Sequence, residues 1–121
     1  MAQTLSKNER LSGKTAVSGL LKNGRWGVSA SLKYCWMVRE EEGVGRILVS
    51  VPKKNFKRAV KRNLLKRRLR ESYRTQKDIL KGVPALDVMF FYNSKEVLDS
   101  AVIKEEIRTI LQTLAEKLSG K

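Results

Sequence analysis

Residues 53–77 read KKNFKRAVKRNLLKRRLRESYRTQK and contain twelve lysines and arginines but a single acid, Glu71. This segment carries a net charge of +11 out of the +14 of the 121-residue chain, so the other residues together contribute only +3. Like charges at this density repel one another and oppose the folding of a compact domain. A polyanionic partner is the simplest explanation, and nucleic acid is the favoured one. Charge alone does not separate RNA from DNA.

The basic segment predicts a helix from about residue 57 to residue 75. Leu65, Leu69 and Tyr73 are spaced four apart and form one apolar stripe, and Ala59–Val60 are expected to pack the first turn near the preceding loop. Most of the cations fall outside the stripe, so the helix is anchored along one edge and cationic over much of the rest. An acidic membrane surface is a weaker partner than nucleic acid, because the stripe is needed for the core.

Two strands are predicted ahead of this helix. Residues 31–39, SLKYCWMVR, are rich in aromatic and β-branched types. Residues 46–51, RILVSV, predict the returning strand of an antiparallel hairpin, with residues 40–45 as its turn. Core packing is the favoured interpretation of the aromatic face of the first strand, and a stacking platform for unpaired bases is the alternative. Alternation places four side chains on that face: Leu32, Tyr34, Trp36 and Val38.

The remaining chain predicts two more helices and a buried strand. Residues 5–24 form a short amphipathic helix that ends at Asn23-Gly24. Residues 86–92, LDVMFFY, are the nearly continuous apolar run of a central strand, and residues 97–118 predict a helix with one core-facing stripe. The predicted order is helix, two or three strands, helix, strand and helix. With three strands before the basic helix, this order is α-β-β-β-α-β-α. We expect one single-layer α+β domain with a mixed sheet over residues 1–121.

The chain lacks residues that several classes of protein function require. No apolar run approaches the ~20 residues of a membrane span, and the first residues lack the apolar core of a signal peptide, so a cytoplasmic protein is expected. Cys35 is the single cysteine and there is no histidine, which removes zinc-type spacing and the commonest general acid/base. The acidic run Glu40–Glu42 could bind a metal ion, but a solvated hairpin tip is the favoured interpretation. We therefore expect no catalytic residue and no metal site.

The basic segment and its flanks match the motifs of one protein family. The central match is SVPKK at residues 50–54, followed by AVKRNLLKRRLRE at residues 59–71. Arg10-Leu11 and Lys22-Asn23-Gly24 match the first helix of the family and its end, and residues 87–91, DVMFF, match its final strand. Over nearly its whole length the chain resembles the protein subunit of bacterial ribonuclease P.

The resemblance implies a ribosomal-protein-S5-like fold with an uncommon left-handed β-α-β crossover. It also implies a ribonucleoprotein whose large catalytic RNA removes 5′ leaders from precursor tRNA, with no membrane and no further protein partner required. In the family, the basic helix and adjoining loop lie against the catalytic RNA, and a cleft between the first helix and the sheet contacts the single-stranded leader. Mg²⁺ ions bound mainly by the RNA carry out the hydrolysis, so the protein would bind, orient and screen charge.

The chain departs from the family pattern in three ways. The characteristic Arg-Asn-Arg appears as Arg62-Asn63-Leu64, so the third cation is missing. Lys57-Arg58 replaces a usual Gly-Asn pair and adds charge. Val17 and Leu21 replace the phenylalanines of the first helix that are associated with the leader cleft. Stacking by that helix is therefore not expected, and the aromatic residues of the first strand are candidates to supply it.

The predicted function is binding of the catalytic RNA and of the precursor-tRNA leader. A structural RNA-binding protein, such as a ribosomal or RNA-assembly factor without a role in cleavage, is the alternative. A nuclease acting alone is disfavoured because histidine and converging carboxylates are absent. Asn63 is predicted to contact a base edge or a sugar hydroxyl, with a backbone cap or solvent as an equal alternative. The predicted RNA-binding residues are Lys53, Lys54, Lys57, Arg58, Lys61, Arg62, Asn63, Lys66, Arg67, Arg68 and Arg70, and the predicted leader-cleft residues are Arg10, Lys14, Val17, Leu21, Tyr34 and Trp36.

Overall fold

The computed structural model describes Leu11 and residues 14–39, 45–80 and 83–119. The predicted order α-β-β-β-α-β-α is confirmed, and a short 3-10 helix at Lys77–Leu80 follows the second α-helix. Of the helix predicted over residues 5–24, residues 5–10, 12 and 13 lie outside the described part. The elements are α1 (Lys14–Asn23), β1 (Arg25–Val28), β2 (Leu32–Val38), β3 (Arg46–Ser50), α2 (Ala59–Arg74), β4 (Leu86–Tyr92) and α3 (Ser100–Ser119).

The sheet has the strand order β1-β2-β4-β3. β2 pairs antiparallel with β4, and β3 pairs parallel with β4, so the predicted hairpin between β2 and β3 is wrong. β4 separates the two because its side chains are almost all apolar and buried, and a strand buried on both faces takes a central place. The central position predicted for residues 86–92 is thereby confirmed. α2 lies in the connection between β3 and β4, and the left-handed sense of that crossover remains a prediction.

Helices pack on both faces of the sheet, so the predicted single layer is wrong. On one face, which we call the core face, Tyr34 and Trp36 pack with apolar residues of α2 and α3. On the other, which we call the α1 face, Leu20 packs with Cys35 and Met89. Alternation along β2 therefore sends neighbouring side chains to different layers. No helix within the described ranges is long and apolar enough to cross a membrane.

The start of α2 is anchored by the loop that precedes it. Ala59 and Val60, which were predicted to pack there, are both exposed. Phe56 supplies the packing instead, because its side chain is buried and its ring meets Tyr92 edge-on with centroids 5.6 Å apart. The first turn of the basic helix consequently faces solvent.

The start of α3 is set by a side-chain cap. The helix begins at Ser100, three residues after the predicted start, and Asp99 Oδ1 accepts a hydrogen bond from Val102 N at 3.1 Å. An aspartate at this position satisfies one of the backbone N–H groups that the first turn leaves without a partner. Further along the helix, Glu106 Oε1 accepts hydrogen bonds from Ser29 Oγ at 3.1 Å and Ser31 N at 2.9 Å. α3 therefore also holds the turn between β1 and β2.

Candidate nucleic-acid interface

The buried edge of α2 determines which of its cations face solvent. Leu65, Leu69, Ser72 and Tyr73 form this edge. At about 100° per residue, side chains four apart follow one another along the helix. Arg62, Lys66 and Arg70 lie on one side of the edge, and Asn63 and Arg67 are next to them. Leu64 and Arg68 lie on the other side of the edge, toward α3.

Most of the predicted RNA-binding cations are available for a ligand. Eight of them make no side-chain hydrogen bond or ion pair with any described residue, and all are exposed except the half-buried Lys66. Asn63 is exposed and likewise unbonded, so it does not act as a backbone cap. We call these eight residues the open cations: Lys53, Lys54, Lys57, Arg58, Lys61, Lys66, Arg67 and Arg70.

Two predicted RNA-binding arginines instead bind carbonyl groups of the chain itself. Arg62 Nη1 donates to the carbonyl oxygens of Phe56 at 2.7 Å and Lys57 at 2.9 Å. Arg68 Nη1 donates to the carbonyl oxygen of Leu98, in the segment before α3. Both side chains are half-buried. Part of their hydrogen-bonding capacity is therefore used within the fold.

Leu64, which stands where the family motif has its third cation, lies on the side of α2 that faces α3. The side chain is half-buried and lines a groove of about 340 Å³ between α2 and the first turns of α3. Arg67, Arg68 and Lys104 line the same groove. An apolar residue at this position limits the repulsion among the three cations around it.

The described residues of α1 that were predicted for the leader cleft differ in their exposure. Lys14 is exposed, Val17 is half-buried in the α1-face cluster, and Leu21 is 37% exposed. Arg10 lies outside the described residues. Of these residues, Val17 and Leu21 give α1 a short apolar surface, and Lys14 places a cation at its start.

Tyr34 and Trp36 belong to the core. Each is 7% exposed and packs on the core face with α2 and α3. The core-packing interpretation of these two residues is confirmed. The period of two along β2 points their side chains away from the face that α1 covers, and their contact with the leader stays a prediction.

An aromatic pair that the sequence analysis missed lies on the α1 face. The rings of Trp26 and Phe91 stack with centroids 5.4 Å apart and an interplanar angle of 28°, and Lys33 Nζ lies 5.0 Å from the centre of the Trp26 ring. Trp26 is 46% exposed. The register supports the grouping, because Lys33 pairs with Phe91 and Trp26 pairs with Cys35 of the α1 face. We call Trp26, Lys33 and Phe91 the aromatic platform.

The described residues offer few groups for direct chemistry. No cluster of three or more His, Cys, Asp and Glu side chains among them could hold a metal ion, so they do not fit a Mg²⁺ site held by protein groups alone. Burial raises the pKa of the Cys35 thiol, and its Sγ donates to the carbonyl oxygen of Leu20 at 3.3 Å. A buried thiol with a raised pKa is a poor nucleophile. The surface is suited to binding.

Comparison with known proteins identifies the family. Residues 5–115 match the family model for Ribonuclease P. This chain belongs to that family. The ribonuclease P protein component of Porphyromonas gingivalis strain W83 is 41% identical over 81 residues, covering 65% of this chain and 59% of that protein. The ribonuclease P protein component of Nitrosomonas eutropha is 38% identical over 77 residues, covering 64% and 62%. The chain thus spans about six tenths of the length of these curated relatives.

Solved structures share the fold of this ribonuclease P family member. The RNase P protein of Staphylococcus aureus superimposes with a TM-score of 0.76 at 21% identity, covering 89% of this chain and 96% of that one. The RNase P protein of Thermotoga maritima gives a TM-score of 0.75 at 21% identity, covering 87% and 96%. The predicted α+β domain with a mixed sheet is therefore confirmed.

Proposed function

We propose that this chain is the protein subunit of ribonuclease P, which binds the catalytic RNA and the 5′ leader of precursor tRNA so that the leader is removed by endonucleolytic cleavage. The observation that carries the proposal is the set of eight open cations on one loop and helix. Family membership supports the identity of the RNA partner. We further propose that the complex acts in the cytoplasm and requires no other protein.

The open cations are suited to the closely spaced phosphates of a folded RNA. Each phosphate contact releases condensed counterions, so six to ten contacts on a duplex lower affinity roughly 10³–10⁵-fold between 50 and 200 mM salt. Arg67 and Arg70 add planar guanidinium groups that bind phosphate in a bidentate manner, whereas the lysines act as point charges. The loop and helix are therefore proposed to lie against the catalytic RNA.

The aromatic platform is suited to the unpaired leader. Aromatic faces hold single-stranded bases with about 1–3 kcal/mol per base, and Trp26 exposes nearly half of its surface on the α1 face. Lys33 places its ammonium group over the same ring. In this position it would bind the leader phosphate next to a base that stacks on Trp26. Val17 and Leu21 of α1 supply apolar surface on this face of the sheet. We therefore assign the leader to the α1 face, where it would contact the platform.

Chemistry in this proposal is divided between RNA and protein. Mg²⁺ bound mainly by the catalytic RNA supplies the hydrolysis of the phosphodiester bond. The chain itself binds both RNAs, orients the leader and screens the repulsion between the two phosphate backbones. No protein side chain is proposed to touch the reacting atoms.

Reconstitution tests the proposal. The purified chain is added to transcribed ribonuclease P RNA of the same organism, and cleavage of precursor tRNA is followed at low Mg²⁺ concentration. We expect the chain to restore cleavage at the mature 5′ end, and the chain without RNA to leave the substrate intact. A structural RNA-binding factor would bind the RNA without changing cleavage, and an independent nuclease would cleave alone. Either result would reject the proposal.

A further inference from the structure

The guanidinium group of Arg62 points back at the loop before the helix. Its Nη1 atom donates hydrogen bonds to two consecutive carbonyl oxygens, those of Phe56 at 2.7 Å and Lys57 at 2.9 Å. Hydrogen bonds from a charged donor are roughly twice as strong as those between neutral groups. One atom therefore fixes the orientation of two successive peptide groups directly before α2.

The loop has little else to hold it in place. Asn55 N and Phe56 N donate to the carbonyl oxygen of Pro52 over 3.3 and 3.4 Å, which are long hydrogen bonds. Arg58, at the N-cap of α2, forms no side-chain cap. The burial of Phe56 against Tyr92 is the main apolar anchor.

Three of the open cations belong to this loop: Lys53, Lys54 and Lys57. A flexible loop that becomes ordered only on binding weakens association, because the lost conformational freedom opposes the contacts that are gained. A loop already ordered in the unbound protein avoids that loss. The two hydrogen bonds of Arg62 act on the loop before any RNA is present.

We infer that Arg62 is a positioning residue, which holds the loop of residues 53–57 in its RNA-binding conformation and does not owe its effect to a phosphate contact of its own. The inference rests on the proposed function of the loop as an RNA contact. Arg67 provides the contrast, because it is exposed on the same helix and forms no side-chain bond to any described residue. Arg67 acts directly on RNA, whereas Arg62 acts through the loop.

A double-mutant experiment separates the two modes. Arg62→Ala, Arg62→Lys, Arg67→Ala and Arg67→Lys are made in the wild-type chain and in a Lys53→Ala/Lys54→Ala/Lys57→Ala chain. Affinity for transcribed ribonuclease P RNA is measured by filter binding over a range of KCl concentrations. Lysine retains the charge, but its side chain is one atom shorter and lacks the planar guanidinium group, so we expect it to preserve a phosphate contact better than the two loop contacts.

The positioning role predicts non-additivity. In the wild-type chain both Arg62 variants lose affinity by roughly 3- to 30-fold, and in the triple-lysine chain by no more than about twofold. Arg67→Ala loses affinity in both chains, and Arg67→Lys, which keeps the charge but not the bidentate geometry, loses less than Arg67→Ala in each. Equal losses for Arg62→Ala in the two chains, or full affinity for Arg62→Lys, would show that Arg62 contacts RNA itself and would overturn the inference.

Hydrogen exchange in the unbound protein provides a readout that does not involve RNA. Arg62→Ala should accelerate exchange of the Asn55 and Phe56 amides, while amides of β4 retain their wild-type rates. Unchanged exchange of the two loop amides overturns the positioning role. The exchange could accelerate as expected while neither the Lys53→Ala/Lys54→Ala/Lys57→Ala chain nor Arg67→Ala loses affinity. That result would reject the proposed RNA surface but would leave the role of Arg62 in ordering the loop intact.

Discussion

Trp26 and Phe91 stack on the α1 face although they belong to strands that are not neighbours. β2 lies between β1 and β4, so the two rings meet across it, with centroids 5.4 Å apart. Lys33 of β2 lies between them in the sheet and places its ammonium group over the Trp26 ring. Three strands thus combine to present one aromatic and cationic surface beside α1, and this arrangement makes the platform testable by a single substitution.

Replacing Trp26 should weaken binding of the leader specifically. Trp26→Ala removes the exposed stacking surface, and we expect a loss of about 1–3 kcal/mol in the affinity of the reconstituted complex for precursor tRNA with a leader. Affinity for mature tRNA, which has no leader, should be unchanged. Trp26→Phe retains an aromatic face and serves as the matched control. Equal losses with both RNAs would mean that Trp26 acts on the fold or on another RNA contact.

The open arginines of α2 should determine the salt dependence of RNA binding. Arg67→Ala and Arg70→Ala each remove one candidate phosphate contact, so the slope of log affinity against log salt should fall by roughly 0.7–0.9 for each. The control is Arg108→Ala on α3, which removes the same formal charge from a residue paired with Glu105 at 3.8 Å. Slopes that fall equally for the control would indicate a general effect of net charge, without defined contacts on α2.

The sequence predicted the elements better than their arrangement. The apolar run at residues 86–92 was sufficient to identify a central strand, because burial on both faces leaves no polar alternation. It could not show that β4 separates β2 from β3, since that pairing depends on contacts between distant parts of the chain. Period-two alternation correctly grouped Tyr34 with Trp36, but alternation does not tell which face lies under which helix.

The candidate site was predicted in the same uneven way. The basic composition of residues 53–77 located the open cations, because twelve basic residues with a single acid cannot all form ion pairs within the segment. Helical spacing placed most of the cations outside the apolar stripe, but it could not show that the side chain of Arg62 reaches back to the loop. Trp26 was missed because β1 has four residues, too few for alternation to predict a strand. Its stacking partner, Phe91, lies far away in sequence.

Asp87 should contribute strongly to stability. The residue is 3% exposed, and its carboxylate accepts two hydrogen bonds from Arg46, at 2.8 and 2.7 Å. Asp87→Ala removes these charge-assisted bonds, so we expect the free energy of unfolding to fall by about 1.5–3 kcal/mol. Urea denaturation should show a lower midpoint with an unchanged m-value.

The control for Asp87 is a weak pair on the surface. Glu105 is exposed and lies 3.8 Å from Arg108, so Glu105→Ala should change stability by less than about 0.5 kcal/mol. RNA affinity of the Asp87 variant should keep its wild-type salt slope, because no open cation is removed. A loss as small as that of Glu105→Ala would show that the buried pair contributes little beyond its desolvation.

Tyr92 should make the fold sensitive to alkaline pH. Burial raises the pKa of its phenol above the ordinary value of 10.0, so the folded chain holds this proton more tightly than the unfolded chain does. The corresponding stability is fully present below about pH 10 and is lost as the pH rises through the folded-state pKa. Burial raises the pKa of Tyr34 in the same direction. Thermal denaturation from about pH 8 to pH 11 measures the combined effect.

Tyr92→Phe isolates the contribution of this residue. The variant loses the hydrogen bonds of the hydroxyl to the carbonyl oxygen of Glu96 and from Leu98 N, which should lower stability by about 1–2 kcal/mol at neutral pH. Above pH 10 the gap to the wild type should narrow, by at most about 1.4 kcal/mol per pH unit for a single proton. Titration of the lysines affects both chains alike and cancels in the difference. A gap that stays constant up to pH 11 would show that the Tyr92 phenol titrates equally in the folded and unfolded chains.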